Sequence, residues 1–331
     1  YVITVFKLGA TMKYISHEDG NLAFSETEKP VLKSHEVLVK VAAIGVNRAD
    51  SMQRQGKYPA PAGDSPILGL ECAGTVTELG KDVDNTWLNK RIFTLCSGGA
   101  YSEYVAVDAK QLMELPDDVT LAEGAAISEV YLTAFGALFE LGKLQKGQTA
   151  LIHAGASGVG GAAIQMAKSA GATVVITAGT DDKCQHAKEL GADHAINYKT
   201  TDFVEYMKAN DLTANVIVDP VSGSYLNKNA AIAAMDCQIV MLAFLDGRFA
   251  EVDFAALLRK RISFHASTLR NRSIDFKRQV RDDFVARFYN DIATKKYDFN
   301  LYKTLPWSDA NEAHAILERN ENAGKVVLLV E

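Results

Sequence analysis

The chain has 331 residues, of which 48% are apolar, and it carries a formal net charge of −6 with an isoelectric point near 5.7. This length predicts about two domains with a large core. The acidic balance argues against nucleic acid or an anionic membrane as the main partner, and no apolar run reaches the roughly 18 residues that a membrane span needs.

The N-terminal residues and the cysteines give further expectations. Residues 1–15 alternate in polarity and lack a charged leader region, so they are predicted to form strands and not a signal peptide. The four cysteines include no C-x-x-C pair, which argues against a disulfide framework or a zinc ribbon. We interpret them as reduced thiols and expect a cytoplasmic protein.

The first 125 or so residues are rich in β-structure. Alternating or β-branched runs predict strands at 36–44, 71–79, 91–95 and 101–107. Glycine and proline cluster between these runs, which is typical of irregular loops.

A strand, a glycine turn and a helix follow one another at 149–171. The apolar run 149–153 breaks into Gly155-Ala156-Ser157-Gly158-Val159-Gly160, after which good helix formers continue. Glycines let the backbone approach a pyrophosphate, and a helix N-terminus offers free N–H groups and a positive dipole end. This order predicts a dinucleotide-binding site.

From residue 149 onward, short strands alternate with helices, which predicts a doubly wound parallel sheet. The predicted strands lie at 149–154, 173–178, 194–197, 215–219, 238–244 and 262–267. The predicted helices lie at 159–170, 181–190, 201–209, 222–235 and 253–261. The tail is predicted to hold a helix at 309–320 and a closing strand at 325–330.

The end of the second predicted strand bears on the choice of cofactor. An NAD site usually places a carboxylate there to bind the ribose 2′-hydroxyl, but this strand ends in Ala178-Gly179-Thr180. The small groups leave room for a 2′-phosphate, and Lys183 can neutralise it. Asp181 and Asp182 either repel that phosphate or merely enrich the first turn of the next helix, where negative charge is favourable. We predict NADPH as the cofactor.

Motifs along nearly the whole chain resemble the zinc-independent quinone oxidoreductases of the medium-chain dehydrogenase/reductase superfamily. The zeta-crystallin-like branch, and within it the tumour-suppressor-inducible quinone oxidoreductase type, is the most similar. The motifs that carry the resemblance are Val46-Asn47-Arg48-Ala49-Asp50, Arg54-Gln55-Gly56-Lys57-Tyr58-Pro59, Leu68-Gly69-Leu70-Glu71, Gly98-Gly99-Ala100-Tyr101, Leu132-Thr133-Ala134-Phe135, the Gly155 loop, Ala178-Gly179-Thr180 and Asn322-Ala323-Gly324-Lys325-Val326-Val327.

The resemblance implies an α/β fold with two domains and an active site in the cleft between them. A GroES-like β-rich catalytic domain is expected at 1–127, and a Rossmann NADPH-binding domain with a doubly wound parallel sheet at 128–268. Residues 269–331 are expected to return to the catalytic domain.

The resemblance also bears on metal binding. Zinc-dependent relatives hold a catalytic zinc with a Cys, a His and a second Cys. The corresponding positions here are Asn47, Leu70 and a site near Glu129. We therefore expect no metal and assign the chemistry to the cofactor.

Three residues of the first domain are implied to act on the acceptor: Asn47, Asp50 and Tyr58. Each also has a structural interpretation. Asn47 fixes a turn, Asp50 caps a helix at 49–55, and Tyr58 packs before Pro59.

The residues implied to bind the cofactor come from both expected domains. They are Asn47, Thr133, Gly155, Ser157, Gly158, Val159, Gly160, Gly179, Thr180, Lys183, Tyr198, Phe244, Leu269 and Asn322. Arg270 and Arg272 either line the cleft or lie solvated in a loop. His153 is interpreted as a packed strand residue.

Three functions stay open at this point. The first is an NADPH-dependent quinone reductase, and the second an NADPH-dependent alkenal or enone double-bond reductase on the same fold. The third is an NADPH-binding protein with a structural or RNA-binding task. The substrate is thus expected to be a small quinone or enone.

We also expect a homodimer. The sixth predicted strand should lie at the open edge of its sheet, and an exposed apolar edge invites pairing. Residues 244–270 would then form a two-fold interface.

Overall fold

The structure is a computed structural model, and it describes residues 10–330 apart from the side chain of Asp19. The first nine residues of the predicted N-terminal strands lie outside this range. Up to residue 124 the elements are mainly strands. These strands are Thr11–Ser16 (β1), Ala23–Glu28 (β2), Glu36–Val46 (β3), Glu71–Leu79 (β4), Arg91–Leu95 (β5), Tyr104–Asp108 (β6) and Leu112–Glu114 (β7), with helices Arg48–Arg54 (α1) and Leu121–Gly124 (α2).

Helices and strands alternate through the middle of the chain. The helices are Ser128–Phe135 (α3, continued by a π-helical segment Gly136–Leu141), Gly158–Ser169 (α4), Asp181–Glu189 (α5), Phe203–Ala209 (α6), Tyr225–Ile232 (α7), Phe254–Lys260 (α8) and Ile274–Ala293 (α9). The strands are Thr149–Ile152 (β8), Thr173–Ala178 (β9), His194–Asn197 (β10), Ala214–Asp219 (β11), Ala233–Met241 (β12) and Ser263–Ala266 (β13). The tail holds Leu301–Pro306 (β14), Ala310–Glu318 (α10) and Lys325–Leu329 (β15).

These elements form two compact units. The β-rich unit comprises the described residues up to 129 together with 301–322 and 326–330, and the nucleotide unit comprises 130–300 with 323–325.

The β-rich unit contains a seven-stranded sheet. Its order is β14-β15-β3-β4-β5-β7, with β6 paired antiparallel to β3. Strands β1 and β2 form a separate antiparallel pair. The alternating pattern of β3 and β4 buries Val39, Ile44 and Val76 in a core that also includes Trp307 and Ile316 from the tail.

The nucleotide unit contains a six-stranded sheet of order β10-β9-β8-β11-β12-β13, and its five neighbouring strand pairs are all parallel. The chain order reverses between β8 and β11, which is where open α/β sheets bind their ligands. This confirms the predicted α/β fold with a GroES-like β-rich domain and a Rossmann-type sheet, and it also confirms that the sixth strand lies at a sheet edge.

The fifth strand begins earlier than predicted. A helix was expected to run to residue 235, but α7 ends at Ile232 and β12 starts at Ala233. Ala233 pairs with Ala214, and the register then shifts before Gln238 pairs with Val216. The left-handed backbone of Asp236 lies within this irregular stretch, and its carboxylate accepts two hydrogen bonds from Arg261. Sequence periodicity did not reveal this bulge.

The expected division at residue 269 also differs from the structure, in which 269–300 belongs to the nucleotide unit. The reason is α9, a 20-residue helix that the sequence interpretation missed. Its Phe288 packs at 5.5 Å from Phe139, and its Phe284 lies 6.1 Å from Phe135. The buried positions of α9 are Lys277, Val280, Phe284, Phe288 and Ile292, a helical spacing that the sequence does carry.

One stretch of the described residues is long and apolar enough to cross a membrane by length and composition alone. It runs from Leu121 to Leu141, and 72% of its most apolar window is buried inside the protein. The sequence interpretation had found no such run. Burial of this extent is also usual for a core helix of a soluble protein, so the stretch is weak evidence for a membrane span.

Candidate functional site

The glycine loop of the nucleotide unit joins β8 to α4. Ser157 caps the helix, and its Oγ accepts a hydrogen bond from the backbone N–H of Gly160 at 3.0 Å. Ala154 adopts a left-handed backbone with φ of 54°, which turns the chain out of the strand. The loop thus leads directly into a capped helix N-terminus, the local structure that binds phosphate groups.

The glycines of this loop are required by the protein's own packing. A Cβ on Gly160 would lie 2.5 Å from the carbonyl oxygens of Ala154 and Gly155, and one on Gly155 would lie 2.5 Å from Ile176 Cβ. Either contact would force the loop to move. The sequence interpretation assigned these glycines to close approach of a pyrophosphate, and the structure adds close packing of the loop against itself and against β9.

The tail supports the loop from the side. The backbone N–H of Gly324 donates to Ala156 O at 2.9 Å, and that of Lys325 donates to Asn300 O at 2.7 Å. Ser157 and Gly324 form an isolated parallel bridge. Asn322, a predicted cofactor residue, directly precedes this segment. Nothing in the local sequence of the glycine loop indicates this distant support.

Four predicted cofactor residues meet at the end of β9. Thr180 caps α5, and its Oγ1 accepts from the backbone N–H of Lys183 at 3.2 Å. The hydroxyl of Tyr198 is 2.8 Å from the position of a Cβ on Gly179. The Tyr198 ring therefore closes over the strand end beside the cap. The structure thus brings Gly179, Thr180, Lys183 and Tyr198 together.

The two acidic residues that complicated the cofactor choice are in the first turn of α5. Asp181 Oδ1 accepts a hydrogen bond from Asn197 Nδ2 at 2.7 Å, which ties it to the end of β10. This contact and the favourable helix dipole support the structural interpretation of Asp181 and Asp182.

Four further predicted cofactor residues lie in separate parts of the nucleotide unit, two on helices and two in loops. Thr133 is half-buried on α3, and Val159 is half-buried in the first turn of α4. Phe244 is 47% exposed in the segment after β12. Leu269 is half-buried, and its carbonyl accepts from the backbone N–H of Arg272.

The two arginines after β13 differ from each other. Arg270 is buried, so it does not fit the interpretation of a solvated loop charge. Arg272 is exposed, and its guanidinium lies 4.8 Å from the centre of the Phe276 ring.

In the β-rich unit, Asn47 and Asp50 form the start of α1. The carboxylate of Asp50 accepts the backbone N–H of Asn47 at 2.8 Å and that of Gly69 at 3.2 Å. Asp50 is 1% exposed. These contacts give Asp50 the helix-capping task that the sequence allowed as its structural interpretation.

Asn47 also contacts a residue that the sequence interpretation did not single out. Its Nδ2 donates to Glu71 Oε1 at 2.9 Å and to Gly45 O at 3.3 Å. The other oxygen of Glu71 accepts the backbone N–H of Glu129 at 2.8 Å. Glu71 is fully buried, so it fixes the orientation of the Asn47 amide. The Gly-Leu-Glu motif contained Glu71, but its partner lies 24 residues away.

Tyr58 follows the end of α1. Gly56 has a left-handed backbone with φ of 70°, and Lys57 N donates to Met52 O at 2.8 Å. This C-terminal motif stops the helix and turns the chain away from it. Tyr58 is half-buried in the loop that results.

The residues at the expected zinc-ligand positions make other contacts. Asn47 is bound to Glu71, Leu70 is buried, and Glu129 donates its backbone N–H to the same Glu71. Within residues 10–330, no group of three or more His, Cys, Asp or Glu side chains could hold a metal ion.

Comparisons with known proteins match both units. A family model described as alcohol dehydrogenase GroES-like domain matches residues 33–117, and one described as zinc-binding dehydrogenase matches residues 158–285. Among solved structures, a quinone oxidoreductase of Pseudomonas syringae is 26% identical with a TM-score of 0.83, and the match covers 97% of this chain and 100% of that chain. A mycobacterial quinone oxidoreductase is 27% identical with a TM-score of 0.82, covering 96% and 99%. A mycobacterial protein solved with NADPH is also 27% identical, with a TM-score of 0.83 and the same coverage.

Curated relatives are longer than the matched region. The synaptic vesicle membrane protein VAT-1 homolog of Danio rerio is 33% identical over 201 residues, which is 60% of this chain and 42% of that protein. Phthioceranic/hydroxyphthioceranic acid synthase of Mycobacterium tuberculosis is 29% identical over 305 residues, which is 88% of this chain and 14% of the synthase. The chain therefore spans less than half the length of either relative.

Proposed function

We propose that the chain is an NADPH-dependent quinone reductase, an oxidoreductase of the medium-chain dehydrogenase/reductase superfamily. The observation that carries this proposal is the match to two quinone oxidoreductases at 26% and 27% identity over almost the whole of each chain. The specific zeta-crystallin-like subtype belongs to the same proposal.

NADPH is the proposed cofactor. A related protein was solved with NADPH bound, and β9 ends at Ala178 and is followed by Gly179 and Thr180, so no carboxylate occupies the strand end itself. Thr180 and Lys183 would hold the 2′-phosphate, while the N-terminus of α4 would hold the pyrophosphate. Tyr198 would cover the adenosine end.

When bound, NADPH supplies a hydride from its nicotinamide ring. Reduction of a quinone is strongly downhill, so this chain needs mainly to hold and polarise the acceptor. Tyr58 would donate a hydrogen bond to the oxygen that gains negative charge. The amide of Asn47, oriented by Glu71, would present a second polar group. Asp50 would act only by capping the helix that begins at Asn47.

We further propose that no metal takes part, because the family's ligand positions hold Asn47 and Leu70. Elemental analysis of the purified protein should then find no stoichiometric zinc, and a chelator should leave the activity unchanged. About one zinc per chain together with loss of activity on chelation would contradict this proposal.

A screen of acceptors tests the function itself. NADPH oxidation is measured with ortho-quinones, para-quinones and alkenals, and with NADH in place of NADPH as the matched control. Turnover confined to quinones would support the proposal. The second candidate is the alkenal or enone double-bond reductase that the sequence left open. Turnover confined to alkenals would establish that candidate instead.

The third candidate is an NADPH-binding protein with a structural or RNA-binding task. A gel-shift titration with single-stranded RNA, with and without NADPH, separates it from the enzymes. Tight RNA binding without turnover of any acceptor would favour this candidate over both reductases.

The proposed assembly is a homodimer through the edge of β13. The region after β12 exposes several large apolar side chains, among them Phe249, Phe254, Leu258 and Phe264. A second copy of the chain would cover them, with residues 244–270 at the interface. Light scattering at micromolar concentration should give twice the chain mass, and a monomeric mass would contradict the proposal.

A further inference from the structure

A chain of buried polar side chains crosses the sheet of the nucleotide unit. Its four members are Thr177 near the end of β9, His153 directly after β8, Asn229 on α7 and Asp219 at the end of β11. We call these four side chains the polar relay. Each is at most 1% exposed. His153 and Asp219 thus stand on either side of the switch point between β8 and β11, where open α/β sheets bind their ligands.

The hydrogen bonds of the polar relay have one consistent direction. Asn229 Nδ2 donates to Asp219 Oδ2 at 3.0 Å, which leaves its Oδ1 to accept from His153 Nε2 at 2.8 Å. The histidine is therefore protonated on Nε2, and its Nδ1 accepts from Thr177 Oγ1 at 2.9 Å. This tautomer is assigned from the network, in which each polar atom has a partner of the complementary type.

The surroundings keep the imidazole neutral and fixed. The rings of Phe203 and Tyr225 pack edge-on against His153 at 5.0 and 4.9 Å. Burial lowers the pKa of His153 below its ordinary value, against the opposing influence of Asp219. Geometry and environment therefore both favour the uncharged ring.

At its far end the polar relay shapes a turn. Asp219 Oδ1 accepts the backbone N–H groups of Val221 and Ser222, both at 2.8 Å. Ser222 has a left-handed backbone with φ of 55° and Gly223 one of 54°. A non-glycine residue in this region is strained and persists only where its surroundings impose the conformation. The Asp219 carboxylate supplies that constraint.

The turn in turn holds the segment after β12. Ser222 Oγ donates to Ala243 O at 2.8 Å, and the backbone N–H of Asp246 donates to Val221 O at 2.9 Å. The carboxylate of Asp246 accepts the backbone N–H of Ser224 at 2.9 Å. Residues 220–224 and 242–247, here called the paired loops, are therefore one structure. Phe244 lies in the second of these segments, and its side chain is 47% exposed.

We propose that the polar relay is a positioning device for the cofactor, in which His153, Asn229 and Asp219 set the paired loops and thereby the place of Phe244. The three side chains act through the loops and need not touch the cofactor. The inference rests on the proposed function, because Phe244 is a predicted cofactor residue.

The direction of the hydrogen bonds supplies the test. Asn229→Asp removes the only donor to Asp219 Oδ2 among the described contacts and sets two carboxylates against each other. Adding Asp219→Asn restores every bond: the new carboxylate accepts from His153 and from the new amide, whose oxygen still accepts from Val221 and Ser222. Asn85→Asp, at an exposed position of the β-rich unit, is the control for the added charge.

The measurements are the dissociation constant of NADPH by fluorescence titration and amide hydrogen exchange of the paired loops without cofactor. We expect Asn229→Asp to weaken NADPH binding at least about tenfold, equivalent to 1.4 kcal/mol, and to speed exchange in the paired loops. The double variant, Asn229→Asp with Asp219→Asn, should return the NADPH dissociation constant and the rate of hydrogen exchange to within about threefold of the wild type. In a Phe244→Ala background, Asn229→Asp should have little further effect on NADPH.

Other outcomes would overturn the inference. A folded Asn229→Asp protein with wild-type NADPH affinity, even with a lowered melting temperature, would leave the relay a merely structural role. If the single variant does not fold, failure of the double variant to restore NADPH binding and the protection of the paired loops would count equally against the inference. A wild type that does not bind NADPH would instead contradict the proposed cofactor, while loop exchange would still test the relay.

Discussion

The two units shape their candidate sites with different parts of the chain. In the nucleotide unit the backbone forms the loop: a Cβ on Gly160 has no room, and Gly324 adds its backbone alongside Ala156. In the β-rich unit side chains shape the candidate site, because Asn47 is held by Glu71 and by the helix cap that Asp50 forms. A site made of backbone should fail completely when a side chain is added, whereas a site made of side chains should lose activity in steps.

The largest effect should follow from filling the backbone-built loop. Gly160→Ala places a Cβ 2.5 Å from two carbonyl oxygens, so the loop must shift away from the helix N-terminus. We expect NADPH binding to weaken about a hundredfold or more, roughly 2.7 kcal/mol. Titration calorimetry measures the change.

Gly136→Ala is the matched control, because nothing lies within 4 Å of its added Cβ and the residue is helical. It should leave NADPH binding unchanged. Unaltered affinity in Gly160→Ala would show that the loop does not carry the phosphate site.

In the side-chain-built site, Tyr58→Phe and Asn47→Ala should lower kcat/KM for a quinone by roughly ten- to a hundredfold, about 1.4–2.7 kcal/mol. NADPH affinity should change little in Tyr58→Phe and modestly in Asn47→Ala. Asn47→Ala should also lower the melting temperature, because it removes a donor to the buried Glu71. Steady-state kinetics with thermal melts separates these effects. Wild-type kcat/KM in both folded variants would mean that the acceptor binds elsewhere.

The β-rich unit should also respond to pH through a buried histidine. Burial, with a smaller contribution from Arg54, lowers the pKa of His314 to about 3 from 6.5. Its ring nitrogens lie 3.2 Å from Ser51 Oγ and 2.9 Å from Tyr101 Oη. Below pH 6.5 the unfolded chain binds a proton that the folded chain does not bind until about pH 3. Stability is therefore lost as pH falls through this window, by about 1.4 kcal/mol per pH unit.

Chemical denaturation between pH 7 and 5 measures this loss. His314→Gln should unfold more easily at pH 7 but lose less further stability as the pH falls. His35→Gln, which replaces a half-exposed histidine side chain of the same unit, is the control and should follow the wild type. Equal pH slopes in wild type and His314→Gln would contradict the assignment.

The smallest effect concerns the choice between cofactors. NADPH should bind at least tenfold tighter than NADH, about 1.4 kcal/mol, and Lys183→Ala should narrow this difference while leaving NADH binding nearly unchanged. Lys188→Ala, further along the same helix, is the matched control. Equal dissociation constants for the two cofactors in the wild type would refute the proposed role of the β9 end.

Much of the nucleotide unit could be predicted from the sequence because its signals are local. Glycine spacing, apolar strands and capping residues all act within a few residues of one another, so 149–171 indicated the loop correctly. The helix cap at Thr180 could be predicted for the same reason, because its contact with Lys183 lies within one helical turn. Helix α9 was missed although its buried positions carry a helical spacing, because charged residues surround them.

By itself, then, the sequence determined the two kinds of unit, the glycine loop and the absence of cysteine and histidine at the family's zinc positions. Only the tertiary structure decided that Glu71 holds Asn47, that Gly324 supports the glycine loop and that Asp219, Asn229 and His153 form one relay. The physical reason is distance along the chain. Local pattern fixes which element a residue occupies, whereas the partner of a buried polar group is set by sheet order and packing between segments tens to hundreds of residues apart.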